Sequence, residues 1–225
     1  SGLGAWWRLR PAALSGDRAA DLAAGLLERP VADAEPFGAG KFSEVFRVRD
    51  ADGGEYVIRV APHDDMRQLF YEYRMMRQEP ALHERLLAET DVPVPTIAAY
   101  DFSRTRIDRD MLIMPRLSGR PLSEAALAPE ARERALREWG AHVAAIHGLT
   151  DPSHRYGYLG EHHCMPPRSS WAEAFAEMYR RLLDDVVDCG VYDQTTADNA
   201  QRLLDEHIDA FSPCTTSRLL HGDLW

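Results

Sequence analysis

The hydrophobic period changes once along this chain, and that change limits what it can fold into. Residues 42–50 alternate apolar with polar, Asp52-Gly53 is a hairpin turn signal, and residues 55–61 alternate back. Helical spacing follows over residues 65–78, where Met66, Leu69, Phe70, Tyr73 and Met76 share a face, and again over 82–89. Asp91-Val-Pro-Val-Pro95 is a rigid, non-helical connection, and residues 96–102 and 110–115 read as two more strands around a polar turn. Beyond Ser118-Gly119 only helical stripes remain. Leu136, Trp139, Val143 and Ile146 form one and are expected to be buried together. Trp171, Phe175, Met178, Leu182 and Val186 form a second, and Ala200, Leu203, Leu204, His207 and Phe211 a third. An early helix over 15–28 places Leu22 and Leu26 on one face and stops at Pro30.

This order predicts an α+β chain, with one small antiparallel sheet carrying a main helix, then a mostly helical half. The expected parts are an N-terminal helical extension over 1–30, a sheet-bearing part over 31–117 and a helical part over 118–225. With 225 residues, 45% hydrophobic and 28% charged, the chain has material for a real core. Thirty-six acids against 26 bases give a net charge of -10, which argues against a nucleic-acid partner, because phosphate neutralisation needs a basic surface. No apolar run reaches the ~20 residues a membrane span needs, and the first residues show no signal-peptide pattern. Three scattered cysteines, Cys164, Cys189 and Cys214, form no disulfide framework and fit a cytoplasmic setting.

Three stretches carry chemistry. Gly38-Ala-Gly-Lys-Phe-Ser-Glu-Val45 lies between two strands, where glycines let backbone N–H groups approach an anion. It is no Walker A loop, since Phe42 follows Lys41, and no dinucleotide fingerprint, since no helix follows. A strand–loop–strand glycine turn is the device protein kinases place over ATP, which makes Gly38, Gly40, Lys41 and Ser43 candidates for nucleotide binding. A cation on the next strand and a carboxylate on the next helix should then follow. Arg59 and Glu72, thirteen residues apart, are the expected pair. Met111-Leu-Ile-Met-Pro-Arg-Leu117 leads into the helical half, and the carbonyl of Pro115 and the N–H of Leu117 have the spacing to meet adenine. His221-Gly-Asp223 follows a short extended stretch about 100 residues later. A carboxylate there can take the proton of an acceptor hydroxyl as its bond to phosphorus forms. In this reading Asp223 is catalytic and His221 holds its loop. Other groups read as structural: His147 as a packing residue, Asp184-Asp185 as a solvated helix face, and His162-His163-Cys164 as a loop without zinc spacing.

Taken in order, these stretches resemble the aminoglycoside phosphotransferase-like family of small-molecule kinases. The glycine loop, Tyr56-Val-Ile-Arg-Val60, Glu72-Tyr-Arg-Met75, Asp91-Val-Pro-Val-Pro95 and Leu112-Ile-Met114 through Gly119-Arg-Pro-Leu122 match. Ala144-Ala-Ile-His147, Tyr156-Gly-Tyr158, Ser170-Trp171 and Leu220-His-Gly-Asp-Leu-Trp225 complete the set, which spans roughly residues 31–225. The resemblance implies a protein-kinase-like two-lobe fold, with a five-stranded antiparallel N-lobe and a helical, incomplete C-lobe. It implies ATP and Mg2+ as cofactors and a small-molecule hydroxyl acceptor, and it makes Met114 the residue beside adenine and Glu72 the ion-pair partner. It leaves open whether the acceptor is an aminoglycoside, choline, homoserine, a fructosamine, a thioribose or a macrolide. Two departures stand out. Arg59 occupies the family's usual lysine position, and the family's metal-holding asparagine and aspartate are expected beyond residue 225. The alternatives are an inactive kinase-fold binding or regulatory module, or a fragment of a longer kinase, and the oligomeric state is open.

Overall fold

The computed structural model describes residues 13–38, 42–66, 68–159 and 165–222. The chain divides into two compact units, one of Ser1–Arg67 with Met76–Ala135 and the other of Gln68–Met75 with Leu136–Trp225.

The first unit opens with α1 (Gly16–Leu27), whose N-cap Ser15 side chain accepts the Arg18 N–H. Three strands follow, β1 (Val31–Pro36), β2 (Glu44–Asp50) and β3 (Glu55–Val60). Then come α2 (Glu79–Glu89), β4 (Ala99–Asp101) and β5 (Met111–Pro115). All five strands form one antiparallel sheet in the order β1-β2-β3-β5-β4, as the pattern predicts. The β2–β3 hairpin is tied by Asp50, whose Oδ1 accepts the N–H groups of Asp52 and Gly54, with Gly53 at φ +87°. Successive strand residues face opposite sides of a sheet, and the register sorts them. Phe46, Val48, Ile58, Val60, Met111 and Ile113 face α1 and form one buried cluster with Ala19, Leu22 and Ala23. Alternate residues, among them Val45, Val57, Arg59, Leu112 and Met114, face the other way.

Below β5 lies a fully buried carboxylate, Asp110. Arg77 holds it through both Nε and Nη2, at 2.8 Å each, and Arg104 adds a third bond at 2.9 Å. Two cations on one buried acid keep it ionised and satisfied, which a buried charge requires.

The helix predicted over 65–78 does not form. Residues 70–74 are turns, Met75–Gln78 is a 3-10 turn, and the helix begins only at Glu79, with Pro80 in its first turn. Arg74 sits at φ +55°, a left-handed conformation that no right-handed helix passes through. The apolar spacing that suggested a helix serves tertiary contacts instead. Phe70 and Tyr71 pack on Tyr158, the two tyrosine rings lying nearly parallel at 5.9 Å.

The second unit takes up the C-terminal part of α3 (Pro129–Gly148), followed by α4 (Trp171–Asp188) and α5 (Gln194–His207). Ser170 and Asp193 cap α4 and α5 by accepting the N–H groups of Glu173 and Thr196. Phe175 of α4 stacks on Phe211 at 4.7 Å, and Tyr156, Met165 and Ala174 form a second small core. Two expected stripes are only partly buried. In α3, Ile146 is buried but Leu136 and Trp139 are exposed, and in α5 Leu204 is buried while Leu203 and His207 face outward. Spacing puts residues on one face of a helix; it does not supply what covers that face.

Candidate functional site

The second face of the sheet holds Arg59 and Met114, two of the nucleotide candidates. Arg59 stands next to the last residue of β3, opposite Val45 on one side and Leu112 on the other. Met114 lies opposite Val57, two residues further along β5, and packs beside Leu112 and Met76. The register therefore puts a cation, an apolar shelf and the stem of the glycine turn on one face. Phe37 donates its N–H to the Val45 carbonyl at 2.8 Å, closing that stem, and Gly38 follows at φ +73°. A positive φ is a position where glycine carries no Cβ strain. Ser43 is half-buried at the other stem. Gly40 and Lys41 lie outside the described residues.

Arg59 has a carboxylate partner, but not the one expected. Its Nη1 meets Glu79 Oε2 at 2.5 Å, and the two side chains are 31% and 15% exposed. Glu79 opens α2, where the helix dipole also favours an acid. Glu72 belongs to the other unit, and its Oε2 accepts the Leu69 N–H at 2.8 Å. Because the helix starts late, the first helical carboxylate after β3 is Glu79, and the pairing moves seven residues along the chain. Burial, then the charge of Asp185, pushes the Glu72 carboxyl up, against the Leu69 hydrogen bond. Asp185 is not simply solvated, as its spacing suggested. Its Oδ2 accepts the Phe70 N–H at 2.7 Å and ties the 68–75 turn to α4. Burial within the same turn's contacts pushes the Tyr158 hydroxyl up to about 12.

At the segment expected to meet adenine, Pro115 ends β5 opposite Tyr56, and Arg116 donates its N–H to the Glu55 carbonyl at 3.0 Å. Leu117 comes next and is exposed.

In the second unit the residues before the His-Gly-Asp motif are laid along the end of α3. Leu219 donates its N–H to the Leu149 carbonyl, Arg218 Nη1 reaches the His147 carbonyl, and Ser217 accepts the Asp151 N–H. The expected short strand is here a single bridge between Thr150 and Arg218. His221 donates its backbone N–H to His147 Nε2 at 3.3 Å, and Gly222 follows at φ +76°. His147, read from sequence as a packing residue, is thus a loop holder. Its match to the Ala144-Ala-Ile-His147 stretch was the signal that pointed to it. Asp223 lies outside the described residues, as do His162, His163 and Cys164. Among the described residues no three His, Cys, Asp or Glu side chains converge as a metal site. Also among them, no helix is long and apolar enough to cross a membrane.

A family model described as the phosphotransferase enzyme family matches residues 33–225. Among solved structures, a protein described as a fructosamine-3-kinase from Thermobifida fusca aligns with 27% identity and a TM-score of 0.51. That alignment covers 92% of this chain and 63% of the other, so the chain spans less than two thirds of that relative's length. A macrolide 2'-phosphotransferase from Brachybacterium faecium aligns at 21% identity and a TM-score of 0.44, over 76% of this chain and 53% of its own. A spectinomycin phosphotransferase solved with ADP and spectinomycin aligns at 12% identity and a TM-score of 0.42, over 90% and 56%. No curated protein matches the chain.

Proposed function

We propose, from the premise that this chain belongs to the phosphotransferase enzyme family, that it moves the γ-phosphoryl group of ATP to a hydroxyl of a small molecule. The observation that carries this reading is the placement of Arg59. A guanidinium held by Glu79 stands on one sheet face with Met114 and beside Val45, the second residue of the strand that leaves the glycine turn. A fixed, planar cation there can meet phosphate oxygens bidentately. Gly38, Gly40, Lys41 and Ser43 would bring backbone N–H groups and a second cation to the same phosphates. Met114 would lie against adenine, with the Pro115 carbonyl and the Leu117 N–H bonding its edge.

In the transfer, the acceptor oxygen forms its bond to the γ-phosphorus as the bond to the β–γ bridging oxygen breaks, and ADP leaves. Asp223 takes the acceptor proton, and His221, held by His147, keeps that carboxylate's loop in place. The acceptor class we infer is an amine-bearing sugar or alcohol, in keeping with the net charge of -10 and with the fructosamine-kinase-like relative. The cysteine usage supports a cytoplasmic setting. A magnesium-dependent ADP-release assay over fructosamines, aminoglycosides, amino alcohols and sugars tests the reading. Turnover on one class, abolished by Asp223→Asn with ATP affinity unchanged, is the expected result; a variant with wild-type turnover refutes the assignment of Asp223.

A second reading, a kinase-fold module that binds nucleotide without transfer, is favoured by one observation: the arginine at the usual lysine position is already engaged by Glu79. Tight ATP binding with no ADP release across the whole panel would select it.

A further inference from the structure

Glu44 begins β2 immediately after the glycine turn, on the sheet face opposite Arg59, and both of its carboxylate oxygens are used. Oε1 meets Nη1 of Arg109 at 2.7 Å, and Oε2 accepts the Leu14 N–H at 2.6 Å. Arg109 is 2% exposed and is rooted at the end of β3, where its Nε donates to the Ala61 carbonyl at 2.5 Å and its Nη2 to the Val60 carbonyl at 3.5 Å. One side chain therefore ties the end of the turn to two other parts of the unit, the lead into α1 and the end of β3. Its neighbour Val45 does two further things. It accepts the Phe37 N–H across the stem, and it stands opposite Arg59 in the register. An ion pair with its arginine buried and its glutamate half-buried adds little net stability over apolar residues of similar shape, yet its directional bonds hold a geometry that apolar contact would let slip.

We propose that Glu44 is a positioning residue for phosphate binding. Through Arg109 and the Leu14 amide it fixes Val45. Through Val45 it holds Phe37, Gly38 and Arg59 in one arrangement, so that the turn's stem and the strand cation meet the same anion. Glu44 itself faces away from that anion and touches no nucleotide. The inference rests on the nucleotide reading above and deepens it by assigning a residue that acts on the phosphates alone.

The test is calorimetric titration of the full chain and its Glu44→Gln variant with ATP and, separately, with adenosine. A glutamine keeps an acceptor for Leu14 and loses the charge opposite Arg109. The expected result is an ATP Kd weakened about tenfold with the adenosine Kd unchanged, the signature of lost phosphate contacts. Equal weakening of both ligands would mean general loosening and overturns the proposal, as does an unchanged ATP Kd. A wild-type chain that binds neither ligand refutes the nucleotide reading itself, whereas wild-type binding matched by the variant refutes only the role of Glu44. If Glu44→Gln does not fold, the pair Glu44→Leu with Arg109→Met takes its place, because it leaves no buried charge alone. The same split between ATP and adenosine is expected of it.

Discussion

The two faces of the five-stranded sheet are built from alternate residues of the same strands, and they differ in what they carry. Ile58 and Val60 are fully buried against Ala19, Leu22 and Ala23 of α1, whereas Arg59, between them, is part-exposed and ion-paired. A strand's two-residue period puts a core position and a position of the proposed site one residue apart. Substitutions at neighbouring positions of β3 should therefore fall into different classes, and that contrast can be broken or sharpened by measurement.

The largest effect is expected beneath the sheet, at Asp110. Asp110→Asn leaves Arg77 and Arg104 without their shared anion and should cost about 3–5 kcal/mol in urea unfolding, by the cost of breaking a buried pair. Burial pushes this carboxyl up, but the hydrogen bonds from Arg77 and Arg104 outweigh it and hold it below the ordinary carboxylate range. A lowered folded value means its support is present above about pH 4, the unfolded carboxylate value, and is lost as pH falls through the lower folded value. Wild-type stability should show that acid limb, and Asp110→Asn should show a shallower one, the remainder coming from other carboxylates held low, among them Asp50, Glu55 and Glu177. An acid limb of equal depth in both proteins would remove Asp110 as its source.

Next comes the direct comparison within β3. Ile58→Ala, on the covered face, should cost about 2–5 kcal/mol through lost burial and a cavity. Arg59→Ala, one residue on, should change stability by less than about 1 kcal/mol while weakening ATP at least tenfold, in line with the loss of a charge-assisted contact. Thermal melts paired with ATP titrations decide this. A collapse of stability in Arg59→Ala with ATP affinity retained would reverse the roles assigned to the two faces.

The smallest effect belongs to Glu72, away from the sheet. Its folded carboxyl is raised by burial and by Asp185, so the fold favours its protonated form. That contribution is present below the unfolded value and is lost as pH rises through the folded one. At neutral pH Glu72→Gln should therefore be neutral to stabilising, by under about 1 kcal/mol, the scale of a partly exposed site. Marked destabilisation at pH 7 would show that the ionised carboxylate does work there.

Local signals carried much of this fold. The Asp52-Gly53 turn, the alternation on either side of it and the helix start at Ser15 were legible because each depends on residues within a few positions of one another. The glycine turn was legible for the same reason, as was Arg59 as the cation of β3. The second helical stretch was visible too, though its first residue was not. What could not be read is whatever a distant partner decides. Met66, Leu69, Phe70, Tyr73 and Met76 have helical spacing, yet Tyr158 and Asp185, about ninety and more residues away, draw Phe70 and Tyr71 into turns. That loss of helix moved the partner of Arg59 from Glu72 to Glu79.

By itself, then, the sequence determined the strand order, the helices other than the one expected over 65–78, the antiparallel sheet and the position of every candidate group along the chain, because short-range periodicity and turn chemistry do not wait for tertiary contacts. Only the tertiary structure decided which carboxylate meets Arg59, that Glu44 and a buried Arg109 brace the glycine turn, and that His147 receives the His221 amide. Those pairings join residues 20, 65 and 74 positions apart. Pairings at such range are set by which atoms can be buried with their charges and hydrogen bonds satisfied, a condition that spacing along a chain does not express.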